Sequence, residues 1–412
     1  MKKFDIPLYY RSPVISTIKS FRRHQDQRKK DFTPTVLDFG PVSFLIARHF
    51  GFCYGVENAI EISYRAIAEN PGRRIFLLSE MIHNPEVNAD LQSRGVRFIM
   101  QTDGRPIIQW EELTAEDVVL VPAFGTTVEI EQRLEAIGIR SYAYDTTCPF
   151  VEKVWNKAAS IGKDRYTVIV HGKPTHEETR ATFSHSRQNA PTVVVKDMNE
   201  ARLLADVILD RVDRARFYDW FKNQFSDGFD VHRDLERIGV VNQTTMLASD
   251  TQAIADFLKQ TMVQRFGLSD FHVSNRFAET GDTLCYATND NQNATYGLLA
   301  VPADLIIVAG GYNSSNTSHI VELCREKLPT YLISSAAKII SSDTILHFDI
   351  EKRQEIEHSP YLPSTSPVRI MLTSGASCPD SIVEAILRKL LDFFENIRDV
   401  EEVLGAFQIH PD

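Results

Sequence analysis

The chain contains five cysteines but no CxxC pair, so a zinc ribbon, a zinc finger and a thioredoxin-type redox pair have no support. It also lacks both GxxxxGK(S/T) and GxGxxG, and neither familiar type of nucleotide site is indicated. No run of about 18 apolar residues is present, which argues against a membrane-spanning helix. An odd number of cysteines without a secretory signal favours a reducing compartment, in which the thiols are free or bind a metal.

Acidic residues also outnumber basic ones. The 412 residues carry a formal net charge of -10, whereas a nucleic-acid surface needs clustered Lys and Arg. We therefore expect neither a nucleic-acid nor a membrane partner. Residues 1–41 are the exception, because they are rich in Lys and Arg. The acids among them argue against an organelle transit peptide, so we interpret them as a basic, partly ordered extension of a cytoplasmic bacterial protein without plastid targeting.

From residue 42 onward one pattern recurs: a short β-branched apolar run, a polar loop and then an amphipathic helix. Alternating units of this kind predict parallel sheets covered by helices on both faces, so the fold class is α/β. We expect three similar α/β lobes, each with one cysteine near its first helix, and an inserted helix and loop. The predicted lobes are residues 42–146, 147–284 and 285–412, the last with a C-terminal tail, and the insertion lies at about 210–238.

Three of the cysteines stand at or beside strand-to-helix turns and are spread along the chain. They are Cys53 in GFCYGV, Cys148 in DTTCPF and Cys285 in DTLCYA. They are either unrelated core cysteines or one site with three thiolate ligands and an open fourth position. Such a site suits an iron-sulfur cluster or a catalytic zinc. Cys324 and Cys378 fit the interpretation as small core residues.

Polar side chains follow several of the predicted strands. Because the carboxyl ends of parallel strands meet at one edge of a sheet, these side chains are candidates for a common site. Backbone N–H groups at helix starts, supplemented by Ser, Asn and imidazole donors, suit a small phosphorylated ligand, although ordinary helix capping explains any one of them. The candidates are His83, His176, Ser314, Ser315, Asn316 and Ser377.

An acid and a hydroxyl in two of these loops suggest proton transfer. Glu178 lies in HEET and Thr244 in NQTTM. A carboxylate beside imidazole and hydroxyl groups could relay a proton to a reacting carbon. A lone Glu in a polar loop is, however, also a common solvated or capping residue.

Taken in order, the motifs resemble those of the LytB-type family of 4-hydroxy-3-methylbut-2-enyl diphosphate reductases. The resemblance covers residues 42 to 395 through GFCYGV, IHNPEV, DTTCPFVEKV, HEETRAT, NQTTM, CYATNDNQ, NSSN and SGASCPD. It implies three lobes around a [4Fe-4S] cluster, one per chain, held by Cys53, Cys148 and Cys285, with one iron free of protein ligands. It also implies that Glu178 and Thr244 form the proton relay and that the six polar candidates bind the diphosphate.

The same resemblance implies an activity. Members of this family perform the last step of the non-mevalonate isoprenoid pathway, a two-electron removal of an allylic hydroxyl that yields isopentenyl and dimethylallyl diphosphates. Ferredoxin or flavodoxin would supply the electrons. The chain departs from the common pattern at Phe124, where many members have His, and at Asn291, where Arg is common. At Phe124, and in the long segment before NQTTM, the chain resembles the plant and cyanobacterial branch of the family.

Other functions remain open at this level. The cluster could act as a Lewis acid without redox chemistry, as in quinolinate synthase, or it could serve a binding or sensing protein. A catalytic zinc hydrolase is a further alternative. Dependence on an electron donor, product formation and metal analysis distinguish these four possibilities.

Overall fold

The computed structural model describes residues 4–281 and 283–408. The ends of the predicted N-terminal extension and C-terminal tail, residues 1–3 and 409–412, lie outside the described residues. The predicted α/β class is confirmed, because helices alternate with strands and most strand pairs are parallel. Within these ranges, no helix combines the length and the apolar character that crossing a bilayer would need.

Strands and helices are numbered in chain order. The strands are β1 (Thr35–Asp38), β2 (Val42–Ile46), β3 (Ile75–Leu77), β4 (Val96–Phe98), β5 (Val118–Leu120), β6 (Thr167–His171), β7 (Thr192–Val195), β8 (Ile238–Asn242), β9 (Phe277–Ala278), β10 (Leu305–Ala309), β11 (Thr330–Ile333), β12 (Ile345–Asp349), β13 (Gln354–His358) and β14 (Val368–Ser374). The helices are α1 (Pro13–Gln25), α2 (Tyr54–Glu69), α3 (Pro85–Ser93), α4 (Val128–Ile137), α5 (Pro149–Lys163), α6 (Glu177–Arg187), α7 (Met198–Ile208), α8 (Arg216–Trp220), α9 (Ala248–Phe266), α10 (Tyr286–Leu299), α11 (Ser315–Arg325), α12 (Asp380–Leu391) and α13 (Val400–Gly405).

The chain forms two compact units. The first unit comprises the residues up to 57, residues 83–89 and the residues from 286 onward. Its main sheet has the order β1-β2-β14-β10-β11, in which β1 is antiparallel to β2 and the other pairs are parallel. The strands β10 and β14 are apolar along most of their length and are almost completely buried, as expected for a parallel sheet covered on both faces.

The basic N-terminal segment contributes to the core of the first unit. Ser12 caps α1 by accepting a hydrogen bond from the Ile15 N–H, and proline occupies the first helical position. Ile15 and Ile18 are buried in the cluster formed by the five-stranded sheet. On the same helix, the Lys19 Nζ lies 2.7 Å from a carboxylate oxygen of Asp380. Helix α1 is therefore an integral part of this unit.

Truncating Ile15 tests this conclusion. We expect Ile15→Ala to lower the free energy of unfolding by about 2–5 kcal/mol, because a buried side chain is replaced by a cavity. Chemical denaturation followed by circular dichroism measures the change. Ser16→Ala, at the neighbouring exposed position, should change stability by less than about 0.5 kcal/mol. Equal stabilities of the two variants would contradict the assignment of α1 to the core.

The second unit comprises residues 58–82 and 90–285. It contains a parallel sheet of order β4-β3-β5 and a parallel sheet of order β7-β6-β8-β9. The segment at about 210–238 supplies α8 and packs four phenylalanines, Phe217, Phe221, Phe225 and Phe229, against the apolar cluster beside the four-stranded sheet. These aromatic contacts explain why a segment with weak periodicity is nevertheless well packed.

Strand β2 pairs with a strand outside the first predicted lobe. We predicted that Val42–Ile46 opens a lobe ending at residue 146, but this strand pairs with Val368–Ser374 near the other end of the chain. Such long-range pairing leaves no local signal in the sequence. The boundaries at residues 42, 147 and 285 stay a prediction.

Candidate functional site

Cys148 lies at the start of α5 in the second unit. It is the residue before Pro149, and its backbone N–H donates to the Ala123 carbonyl at 3.0 Å. Burial raises the pKa of the Cys148 thiol to about 12, while the backbone N–H groups of Phe150 and Val151 partly oppose that rise. Without a nearby cation the thiol is therefore held protonated, and the N–H groups are placed to stabilise a metal-bound thiolate.

Cys285 is close to Cys148 in the same unit. Its negative charge would raise the pKa of Cys148 further, and so would that of Glu178. The backbone N–H of Cys285 donates to the Thr244 carbonyl at 3.2 Å, which fixes the cysteine to the loop after β8. The structure thus brings together two of the three predicted ligands with the predicted acid.

Glu178 and Thr244 form a buried hydrogen-bonded pair. One carboxylate oxygen of Glu178 accepts from the Thr244 backbone N–H at 2.6 Å, and the other accepts from the Thr244 hydroxyl at 3.0 Å. Glu178 is only 1% exposed. The two residues follow β6 and β8, which are neighbouring parallel strands, so their loops meet at one edge of the sheet. This carboxylate is fixed in position before any ligand binds.

His176 immediately precedes α6 and faces Phe124. Its Nδ1 accepts from the Glu178 backbone N–H at 3.2 Å, which leaves Nε2 as the nitrogen that donates. The rings of Phe124 and His176 lie edge to face with centroids 5.8 Å apart. At the position where many members of the resembled family have His, this chain therefore has an aromatic side chain packed against another candidate ligand.

Cys53 lies in the first unit, in the loop that joins β2 to α2. Its backbone N–H donates to the Ala376 carbonyl at 3.2 Å, and the thiol-bearing residue is half-buried. This bond ties the Cys53 loop to the loop that follows β14. Because β2 and β14 are adjacent and parallel, their carboxyl ends lie at the same edge of the sheet.

Asn316 is the central polar residue of the first unit. Its Oδ1 accepts from the Ala376 backbone N–H at 2.9 Å and from the Asn291 side chain at 3.3 Å. These two bonds fix the amide orientation, and among the described residues its buried Nδ2 has no hydrogen-bond partner. A buried donor without a partner is costly unless a ligand or water satisfies it. Asn291, where Arg is common, thus orients this donor.

The remaining first-unit candidates surround the same loops. The Ser377 hydroxyl donates to the His83 carbonyl at 3.2 Å. Ser314 caps α11 by accepting from the Thr317 N–H, and Ser315 begins that helix. All four predicted residues, His83, Ser314, Ser315 and Ser377, are buried. Together with Asn316 they form a cradle of donors, part of which lies at the start of α11, where an anion is stabilised.

Close backbone approach makes this cradle tight. A methyl group at Gly311 would clash with the His83 carbonyl, and one at Gly375 would clash with the Thr317 hydroxyl. Only glycine allows these loops to meet. Within the described part of the chain, the buried hydroxyl of Thr317 also lacks a hydrogen-bond partner. Our sequence reasoning missed Thr317, whose only local signal is its position after NSSN.

Gln243 is a second residue that sequence reasoning missed. Its Oε1 accepts from the Thr179 hydroxyl at 2.9 Å and from the Lys173 backbone N–H at 3.2 Å. Its Nε2 donates to the Thr245 hydroxyl at 2.7 Å. Gln243 therefore fixes the loop of Glu178 relative to the loop of Thr244. Its position inside NQTTM was the available signal.

Metal binding is supported by the chemistry of the donors. In the ranges that the structure describes, no three or more His, Cys, Asp or Glu side chains form a group ready to hold a metal ion. Two thiols, Cys148 and Cys285, nevertheless lie together in the second unit. Thiolates of this kind suit a soft metal centre such as an iron-sulfur cluster.

Comparison with known proteins agrees with these features. A family model described as LytB protein matches residues 44–391. Two curated relatives named 4-hydroxy-3-methylbut-2-enyl diphosphate reductase, from Synechococcus sp. (strain CC9902) and Picosynechococcus sp., are each 39% identical to this chain. The alignment with the first covers 87% of this chain and 88% of the relative, and that with the second covers 85% and 84%.

Two solved structures share the fold. The structure of the E-1-hydroxy-2-methyl-but-2-enyl-4-diphosphate reductase from Plasmodium falciparum superposes with a TM-score of 0.60 at 21% identity, covering 86% of this chain and 88% of that one. A structure of (E)-4-hydroxy-3-methyl-but-2-enyl diphosphate reductase superposes with a TM-score of 0.51 at 23% identity, covering 85% and 99%. From the family model and the extent of its likeness to the cyanobacterial relatives, this chain belongs to the LytB family.

Proposed function

We propose that this chain is a 4-hydroxy-3-methylbut-2-enyl diphosphate reductase and performs the last step of the non-mevalonate isoprenoid pathway. The reaction consumes two electrons and two protons, breaks the allylic C–O bond, releases water and forms one C–H bond. Protonation at either end of the allylic system gives isopentenyl or dimethylallyl diphosphate. The observation that carries the proposal is the buried Glu178–Thr244 pair beside Cys148 and Cys285 in a member of the LytB family.

The three predicted cysteines, Cys53, Cys148 and Cys285, are the proposed ligands of a [4Fe-4S] cluster. The donor set fits, because Cys53 and Cys285 lie in loops that follow β2 and β9, and Cys148 has two backbone N–H groups directed at its sulfur. When bound, such a cluster supplies one-electron transfers and an iron with Lewis acidity toward the substrate hydroxyl. Ferredoxin or flavodoxin is the proposed electron donor.

Glu178 and Thr244 are proposed to move the proton. The carboxylate oxygen that accepts from the Thr244 hydroxyl is 3.0 Å away, so a proton on Glu178 can pass through that hydroxyl without movement of the backbone. Burial of Glu178 keeps bulk water from competing for this proton. His176 is held by the same helix start and offers Nε2 as a donor.

The donors His83, His176, Ser314, Ser315, Asn316 and Ser377 are proposed to bind the diphosphate. Three first-unit members, Ser314, Ser315 and Asn316, lie at the start of α11, where hydrogen bonds and the helix dipole favour an anion. The unsatisfied Nδ2 of Asn316 and hydroxyl of Thr317 are the donors that a phosphate oxygen would satisfy.

Whether Asn316 donates to the diphosphate can be tested by replacing its Nδ2 with an oxygen. In Asn316→Asp the buried Nδ2 becomes an oxygen, which repels a phosphate and removes one hydrogen bond. We expect KM for the substrate to rise at least ~10-fold, consistent with about 1.5–3 kcal/mol for a hydrogen bond to a charged group. Steady-state kinetics measure this. Asn313→Asp, at an exposed position of the same loop, is the matched control, and equal KM values would remove Asn316 from the site.

The proposed reaction is tested by an anaerobic assay. Purified protein is mixed with the hydroxylated diphosphate and reduced methyl viologen, and the products are identified by mass spectrometry. We expect both isopentenyl and dimethylallyl diphosphates, and no conversion when the reductant is omitted. Conversion without a reductant would favour the Lewis-acid alternative, and absence of any product with an intact cluster would overturn the proposal.

A further inference from the structure

We propose that Arg23, Arg28 and Lys30 form a docking surface for an acidic, one-electron carrier protein. These three residues, called the basic surface here, are exposed at the end of α1 and in the segment that follows it. The inference rests on the proposed function, since it concerns how electrons reach this protein. It adds where the carrier binds.

The basic surface differs in its ion pairing from other cations of the N-terminal segment. Other cations of the N-terminal segment are paired: Lys19 with Asp380 at 2.7 Å, Arg22 with Asp31 at 2.9 Å and Lys29 with Asp290 at 3.9 Å. None of the ion pairs formed by the described residues includes Arg23, Arg28 or Lys30. In a chain with a formal net charge of -10, a group of exposed cations that form none of these ion pairs favours an anionic partner.

The helix that carries Arg23 contacts the Cys53 loop directly. The Lys19 Nζ donates to the Phe50 carbonyl at 2.9 Å and lies over the Phe50 ring. Upstream of the helix, the Tyr10 and Phe52 rings are 5.7 Å apart. The N-terminal segment therefore packs on both sides of residue 51, within a few residues of the proposed ligand.

Lys29, after the C-terminal end of α1, is connected to the Cys53 loop through contacts with Tyr286. The Lys29 Nζ lies 5.8 Å from the centroid of the Tyr286 ring. The Tyr286 hydroxyl in turn accepts from the Tyr54 backbone N–H at 2.9 Å, and Tyr54 follows Cys53 in the chain. A carrier held by Arg28 and Lys30 would thus sit beside residues that contact the neighbours of Cys53.

The structure favours a protein partner over a lipid surface. An amphipathic helix binds a membrane through its apolar face, but Val14, Ile15 and Ile18 of α1 are buried in the core. Exposed apolar contact area is present instead next to the Cys53 loop, where Leu8 is 79% exposed and Tyr9 is 51% exposed. Exposed aromatic side chains and arginines are both enriched at protein interfaces.

Charge complementarity predicts the form of the effect. Opposite charges accelerate diffusional encounter by about 10–10³-fold, and the gain falls as ionic strength rises. The rate with a carrier protein should therefore depend on the basic surface at low salt. The rate with a small chemical reductant should not depend on the basic surface, because such a reductant needs no docking.

The test compares two reductants with one variant. The triple variant Arg23→Glu, Arg28→Glu, Lys30→Glu is assayed anaerobically with reduced plant-type [2Fe-2S] ferredoxin and, separately, with reduced methyl viologen. We expect kcat/KM for ferredoxin to fall at least ~10-fold at low ionic strength, and the methyl viologen rate to be unchanged. The control variant Lys163→Glu, Arg202→Glu, Lys222→Glu changes cations of the second unit that form none of the described ion pairs, and it should retain both rates.

The possible outcomes are distinct. Equal ferredoxin rates in the wild type and the variant would overturn the docking surface, and so would an equal loss with both reductants, which would indicate a structural role. Binding of the wild type, but not the variant, to anionic phosphatidylserine vesicles, with the ferredoxin rate unchanged, would assign these residues to a lipid surface instead. An inactive wild type with methyl viologen would refute the proposed function itself.

Discussion

Glu178→Gln should reduce turnover by about 10²–10⁴-fold, the usual contribution of a positioned general acid. The replacement keeps the size of the side chain. The amide oxygen of Gln can still accept from the Thr244 N–H, and the amide nitrogen can donate to the Thr244 hydroxyl, so the local geometry is preserved. What is lost is a group that binds and releases a proton. The measurement is single-turnover product formation with reduced methyl viologen.

A matched control lies one residue away on the same helix. Glu177 is also buried, but it accepts a hydrogen bond from the Ser79 hydroxyl, whereas Glu178 accepts those of Thr244. Glu177→Gln should therefore leave turnover nearly unchanged. Visible absorbance and iron content should match the wild type in both variants. Unchanged turnover in Glu178→Gln would remove this carboxylate from the proton path.

Cys148→Ala and Cys285→Ala should each abolish turnover and lower the iron bound per chain. Each variant removes a proposed thiolate ligand, and the remaining protein groups near it are poor ligands for iron compared with a thiolate. We expect turnover in each variant to be as low as in protein that has lost its metal completely. Colorimetric iron analysis and visible absorbance of anaerobically reconstituted protein provide readouts that do not depend on activity.

Cys324 provides the control for these two variants. It is buried inside α11, where burial raises the pKa of its thiol to about 12, and it belongs to the apolar cluster of the first unit. Cys324→Ala should retain iron and turnover, with at most a modest loss of stability. Full iron content in Cys148→Ala or Cys285→Ala would show that the proposed ligand set is incorrect.

The positions of the second-unit site residues follow from local rules. A polar loop after a buried β-branched strand predicts a residue at the carboxyl edge of a parallel sheet, and Glu178 and Thr244 lie there. Proline after Cys148 predicts a helix start, and α5 begins at Pro149. These features depend on neighbours in sequence, so periodicity and turn chemistry are sufficient to predict them.

Features set by distant pairing could not be predicted in the same way. The Asn291–Asn316 bond joins two different helices, and its only hint was that Asn replaces a common Arg. The role of α1 in the core depends on contacts with α12, more than 350 positions later, as the Lys19–Asp380 pair illustrates. Composition identified the segment as basic, but burial of Ile15 and Ile18 becomes apparent only when the sheet is assembled.

The parallel pairing of β2 with β14 also affects how the protein is made. On a ribosome, Val42–Ile46 emerges long before its partner Val368–Ser374. At about 5–20 residues per second the delay is on the order of tens of seconds. During that time the five-stranded sheet is incomplete, so the Cys53 loop and the apolar side of α1 cannot pack against it. Nascent chains of this protein should therefore depend on chaperone holding, and metal insertion at the proposed ligand Cys53 should follow release from the ribosome.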